Sequence, residues 1–214
     1  MRSIIWIMEA TVGLRERKKQ RTRQTIVEAA FGLFAERGFD GTTVAQIAEA
    51  AEISPRTFFS YFPSKDDVVF HDFEEQYEMV ASWLRGREPG TNAIDALRAG
   101  FRNRIGEIGE LDPDHASEKR LRARLIREND GLTAHSEYLK GQFADLLAEG
   151  VADDLQERPS DLRPRLVAAA SIAAMGVIED LPDDDVEHSV ETIDSLLVFL
   201  RGGLAALQEE RRES

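Results

Sequence analysis

The sequence predicts an all-α protein, a small N-terminal three-helix unit followed by a larger set of helices. Three observations carry this. Apolar residues recur at spacings of three and four, no stretch alternates apolar and polar residues as a half-buried strand does, and turn-rich clusters divide the chain into helix-sized pieces. Those clusters are "GREPGTN", "ELDPDH", "NDGLT", "ERPSD" and "DLPDDD". At 214 residues the chain is long enough for one large domain or two small ones.

Helix signals begin near Leu14, so residues 1–13 are expected to be a flexible leader, with Met8 an alternative start to Met1. "RERKKQRTR" then places Arg15, Arg17, Lys18, Lys19, Arg21 and Arg23 within nine residues, a density suited to phosphate oxygens or to a solvated helix start. Ile26, Ala30, Leu33 and Phe34 form the apolar stripe of a first helix that stops at Gly38. Thr43 and Gln46 are spaced as a capping box for a second, two-turn helix with Val44, Ile47, Ala48 and Ala51 on one face. Ser54 and Pro55 supply an N-cap and a first-turn proline for a third, which Pro63 closes. Ser64 with Asp67 starts a fourth through Phe70, Phe73, Tyr77, Val80 and Leu84.

The rest reads as helices over 64–86, 92–110, 115–129, 131–157, 161–180 and 185–210, with Pro164 in a first turn that begins near Leu162. In the last of them Val186, Val190, Ile193, Leu197, Leu200, Leu204 and Leu207 alternate spacings of four and three. That heptad pattern fits either a seam with a second copy of the chain or burial within one subunit. Leu196, Val198 and Phe199 widen the apolar surface, so partners on two sides are expected. The preceding "RLVAAASIAAMGV" is alanine-rich and permits close helix approach.

Charge is uneven. Residues 15–65 carry a net +3 and residues 66–214 a net −16, within an overall −13. Salt at about 0.15 M limits the reach of a surface charge to about 8 Å, so the basic face acts locally. The absence of cysteine excludes disulfides and thiolate metal sites and fits the cytoplasm. No run has membrane-spanning length. Nucleophile elbows and phosphate-binding glycine loops are absent, and His71, His115, His135 and His188 are scattered. His71 and Glu75 lie one turn apart, beside Asp72 and Glu74, but a solvated face explains them better than a metal site; Asp183, Asp184 and Asp185 read as first-turn acids of the last helix. No catalytic residue, metal ligand or cofactor is assigned.

Two short helices, a tight turn and a supporting helix are the parts of a helix-turn-helix, whose second short helix enters the major groove. Here the reader is Ser54 to Phe62, with Phe58 and Phe62 toward the core and Arg56, Thr57, Ser60 and Tyr61 nearer DNA. The stretch "LFAERGFDGTTVAQIAEAAEISPRTFFSYFPSKDDVV" resembles the DNA-binding domain of the TetR family of bacterial transcriptional regulators, over roughly residues 20–70; "RTFFSYFPSKDDVV" particularly resembles actinobacterial members. The resemblance implies a DNA-binding domain over 14–63 and a regulatory and dimerisation domain over 64–214. It further implies a cytoplasmic homodimer that represses from a palindromic double-stranded operator and leaves it on binding a small-molecule effector.

Matched residue by residue, the resemblance places phosphate contacts at Thr43, Tyr61 and Lys65, and base-reading positions at Gln46, Pro55, Arg56, Thr57 and Phe59. Arg56 can bond a guanine edge bidentately and the Thr57 methyl can meet a thymine methyl. Glu52 stands where the family commonly has glycine, so a non-glycine residue is expected at positive φ, and its carboxylate would face DNA phosphates. Phe59 replaces a common tyrosine and removes a donor. The family also pairs its last two helices between subunits, which makes Val190, Ile193, Leu197, Leu200 and Leu204 the expected dimer interface. Surplus aromatics together with the resemblance give an apolar effector pocket lined by Phe73, Tyr77, Trp83, Phe101, His135, Tyr138 and Phe143. The alternative is an acidic helical module that docks a basic protein.

Overall fold

The computed structural model describes residues 3–108, 113–179 and 186–213, and their regular structure is entirely helical. The order is α1 (Ser3–Arg37), α2 (Val44–Ala50), α3 (Pro55–Phe58), α4 (Asp66–Val69), α5 (Phe73–Arg85), α6 (Ala93–Ile108), α7 (Pro113–Glu128), α8 (Asp130–Leu155), α9 (Leu162–Glu179) and α10 (Val186–Glu213). The chain forms two compact units. One comprises the residues up to His71 together with Glu118–Leu132, and the other Asp72–Ser117 with the residues from Thr133 onward. The first unit thus runs past the boundary expected at Pro63 and takes in a segment from mid-chain.

In the first unit the predicted stripe of α1 becomes the core. Ile26, Val27, Ala30, Phe31 and Phe34 pack with Phe39, Ile47, Ala48, Phe58, Phe62, Val68 and Val69, and Leu125 and Leu132 complete the cluster. Phe34, Phe58 and Phe62 are almost wholly buried. Truncating such a ring to alanine costs about 3–5 kcal/mol, so the seat of α3 is strongly specified. Gly38 closes α1 at φ 72, the left-handed conformation a helix terminus uses.

Two helix boundaries differ from expectation. α1 begins at Ser3, so the residues expected to form a leader continue its helix; the stretch contains no proline to stop it. The helix expected over 64–86 is broken between Val69 and Phe73. There the His71 carbonyl accepts from Arg23 Nη2 at 2.5 Å, so it is diverted from helical bonding by a side chain 48 positions away. The acidic triplet at 183–185 lies outside the described residues.

In the second unit Ala81, Leu84, Ile94, Leu97, Leu147, Val151, Leu155 and Ala168 share a core with Leu197, Leu200 and Leu204. This corrects the expected dimer interface: Leu197, Leu200 and Leu204 are 3%, 6% and 0% exposed within one subunit. A heptad stripe reports that a face is covered, not by which chain. The side chains of Val190 and Ile193 lie outside the described residues. Ionic ties hold the same face, with Arg98 Nε and Nη2 donating to Asp194 at 2.6 and 2.7 Å. Arg98, then Arg102, hold the Asp194 carboxyl below the usual aspartate range. Asp154 accepts from the Ala93 N–H at 2.7 Å, capping α6 from α8; burial raises its carboxyl, while that bond and Arg87 oppose the rise.

Candidate nucleic-acid interface

The interface is assembled from capping chemistry. At α2 the Gln46 N–H donates to Thr43 Oγ1 at 3.3 Å, while Gln46 Oε1 accepts the Thr43 N–H at 2.8 Å and its hydroxyl at 3.0 Å. The predicted capping box is therefore complete. It also constrains Gln46 as a base reader: its oxygen is engaged, and only the amide NH₂ remains as a donor.

At α3, Ser54 Oγ accepts the Thr57 N–H at 3.0 Å and lies 2.8 Å from Thr57 Oγ1, with Pro55 in the first turn. The Thr57 hydroxyl is thereby occupied by the cap. Arg56 is exposed and its side chain has no intramolecular partner among the described residues, so its whole guanidinium edge is available. Phe59 is 56% exposed and edge-on to Phe58, with ring centroids 5.5 Å apart. Regular α-helix ends at Phe58, and the chain continues to Phe62 through bonds from Ser60 N–H to Thr57 O and from Tyr61 N–H to Phe58 O.

The turn between α2 and α3 holds Glu52 at φ 55, the left-handed conformation expected where relatives place glycine. Two side chains that the sequence suggests as phosphate ligands also hold the scaffold. Lys65 Nζ donates to the carbonyls of Phe39 at 2.7 Å and Thr42 at 3.1 Å and sits 4.0 Å from the Phe39 ring centroid. One of its three N–H donors is left for phosphate. Arg23, the last cation of the basic run, lies 4.2 Å over the Phe62 ring and donates to the Tyr61 and His71 carbonyls.

Thr42 carries no signal in the sequence and yet shapes the interface. It is buried, and its hydroxyl donates to the Gly38 carbonyl at 2.9 Å, or to that of Leu33 at 3.3 Å, fixing the loop before α2. Its neighbour Gly41 is required sterically, since a Cβ there would clash with the Arg37 carbonyl. His71, weighed as a metal ligand, meets a different partner: Nε2 is 2.8 Å from Glu118 Oε1, which also accepts from Arg122 at 2.8 Å.

The expected effector residues divide into groups. Phe73 and Tyr77 of α5 meet Phe143 of α8 with ring centroids 5.3–5.9 Å apart. Trp83 and Phe101 form a separate edge contact at 5.1 Å, with the Trp83 ring closed over Gly100, where no Cβ fits. His135 is half-buried and Tyr138 is 67% exposed. A surface groove of about 500 Å³ is lined by Ser160, Leu162, Arg165 and Leu166, none of them in the expected set.

A capped two-turn helix, a left-handed turn and a short helix presenting a free arginine define a helix-turn-helix DNA-binding protein. Residues 26–71 match the family model of bacterial regulatory proteins of the tetR family, and residues 91–205 match the MftR C-terminal domain. The helix-turn-helix transcriptional regulator TcmR of Streptomyces glaucescens is 34% identical over 204 residues, covering 91% of this chain and 89% of TcmR. The chain belongs to the TetR family of transcriptional regulators, whose members bind DNA as dimers and respond to small-molecule effectors. Among solved structures the fold is similar to NalD, a repressor of a multidrug efflux pump in Pseudomonas aeruginosa, with a TM-score of 0.59, 20% identity, and 86% and 97% of the two chains covered. It is also similar to Thermus thermophilus FadR in complex with lauroyl-CoA, at 0.52 and 23%, covering 84% and 93%. No helix among the described residues is long and apolar enough to cross a membrane.

Proposed function

We propose that the protein is a cytoplasmic homodimeric repressor that reads an inverted repeat through α3 and is released by a largely apolar effector. The single observation that carries the reading is the unpartnered Arg56 on a short helix fixed at both ends, by the Ser54 cap and by Arg23. Arg56 is the main base reader, the Thr57 methyl and the Phe59 ring meet thymine methyls, and the Gln46 amide donates. Tyr61 and the remaining Lys65 donor hold phosphates, and Thr43 joins them by turning its hydroxyl from Gln46 Oε1 to a phosphate oxygen.

Dimerisation is assigned to the outer face of the last two helices in place of the buried leucines. On α9, Leu162 and Leu166 are 79% and 59% exposed; on α10, Val198 and Phe199 are 46% and 77% exposed, beside the small residues Gly202 and Ala206. Large apolar side chains left in water on adjacent helices favour a second copy. For the effector, the Phe73–Tyr77–Phe143 group is the best-supported apolar contact, and an acyl chain or an aromatic compound suits it.

Selection of bound duplexes from a random-sequence pool tests the reading. An inverted repeat with two-fold spacing is expected, and duplexes without any shared sequence would contradict it. Native mass spectrometry of the purified protein, followed by operator titration with any retained compound, tests the effector.

A further inference from the structure

Among the described residues, Arg23 is the member of the basic run that holds the helix-turn-helix, and the cations before it have no role there so far. Six cations and one carboxylate lie between Arg15 and Arg23, and Arg23 is the one drawn inward. Residues 14–21 are exposed on every side, and the side chains of Arg15, Arg17, Lys18, Lys19 and Arg21 have no partner among the described residues.

Helical spacing sorts these cations into two rows. Arg15, Lys19 and Arg23 follow one another at four-residue intervals, and the row continues as Val27, Ala30 and Phe34, all buried. It is the face of α1 that covers the helix-turn-helix. Arg17 and Arg21 continue instead as Thr25, Glu28 and Gly32, all exposed. The covered face therefore changes from apolar to basic at Arg23, where it touches the end of the reading segment at Tyr61 and Phe62, and runs on uncovered. At a rise of 1.5 Å per residue, Lys19 and Arg15 lie about 6 and 12 Å beyond that point. Along one DNA strand those distances correspond to about two and about four nucleotide steps.

We infer that Arg15 and Lys19 clamp the phosphate backbone of duplex DNA flanking the bases read by α3. This rests on the operator-binding reading above. Row identity makes the inference specific, because Arg17 and Arg21 carry the same charge on the opposite face and should contribute little.

The test compares wild type, R15Q/K19Q and R17Q/R21Q on the duplex selected from the random pool, in two lengths. One ends at the outermost base pair read, and the other extends six base pairs further on each side. On the longer duplex R15Q/K19Q should flatten the slope of log K against log salt by about 1.8 per subunit, at about 0.9 for each phosphate no longer neutralised. R17Q/R21Q should leave it nearly unchanged, and on the shorter duplex R15Q/K19Q should match wild type. Equal losses from both pairs would reduce the effect to general charge attraction and overturn the clamp, as would a wild type indifferent to duplex length. If wild type binds neither duplex, the operator reading itself fails. Circular dichroism checks that α1 is equally helical in all three, and unequal losses that track helix content would also overturn the assignment.

Discussion

Replacing Glu52 by glycine and, separately, by glutamine separates backbone strain from charge in the turn before α3. Glu52 sits at φ 55, where an L-residue other than glycine pays about 1–2 kcal/mol. Glycine removes that strain but gives the unfolded chain more freedom, worth about 0.5–1 kcal/mol in the other direction. Glu52→Gly should therefore stabilise the first unit by about 0.5–1 kcal/mol, a rise of about 2–8 °C in its melting temperature for a unit of this size. Glu52→Gln keeps the strain and should leave stability unchanged. Both remove an exposed carboxylate beside the reading helix, so both should tighten operator binding by about 0.2–1 kcal/mol per half-site at low salt, and less as salt rises. Thermal unfolding followed by circular dichroism gives the first quantity and fluorescence anisotropy on labelled operator the second. If Glu52→Gln stabilises as much as Glu52→Gly, the cost lies in the charge; if Glu52→Gly destabilises, the side chain supports the turn and the strain argument is wrong.

Arg56→Ala should cost about 1–3 kcal/mol in operator binding and erase the preference at one base pair per half-site, measured against a set of operators substituted at each position; an unchanged preference would remove its assigned role. Phe199→Glu should give a folded monomer by sedimentation, because the side chain is 77% exposed within the subunit, whereas Leu204→Glu should unfold the second unit by placing a charge at a fully buried position. A dimer surviving Phe199→Glu at micromolar concentration would move the dimer interface elsewhere. Because Arg98 lowers the Asp194 carboxyl, its contribution to stability is present above the ordinary aspartate value of about 4 and is lost as pH falls through the lowered native value. Urea unfolding of wild type and Asp194→Asn from pH 7 to 3 should show a gap that closes on the acid side, and a constant gap would contradict the pairing.

The reading unit is legible in the sequence because its signals are local. Capping residues, a first-turn proline and a four-residue apolar repeat act within one or two turns, and Thr43, Ser54 and Pro55 occupy the positions their spacing gives them. What escapes sequence reading depends on partners far along the chain. The break after Val69 involves Arg23, the second role of Lys65 requires the Phe39 and Thr42 carbonyls, and the first unit borrows Glu118–Leu132. The α10 leucines show the limit of periodicity: Leu197, Leu200 and Leu204 are buried as their spacing implies, but the covering surface is the same subunit. The exposed face beside it, with Phe199, shows in the sequence only as a broadening of that stripe.

Hydroxyl-radical footprinting of the wild-type protein on its selected duplex reads out two-fold operator binding at single-nucleotide detail. Two protected backbone segments related by a two-fold axis are expected, separated by one helical turn of DNA (about 34 Å) or a multiple of it, each extending about four nucleotides beyond the bases read by α3. A single unsymmetrical protected segment, or protection that does not follow an inverted repeat, would contradict it.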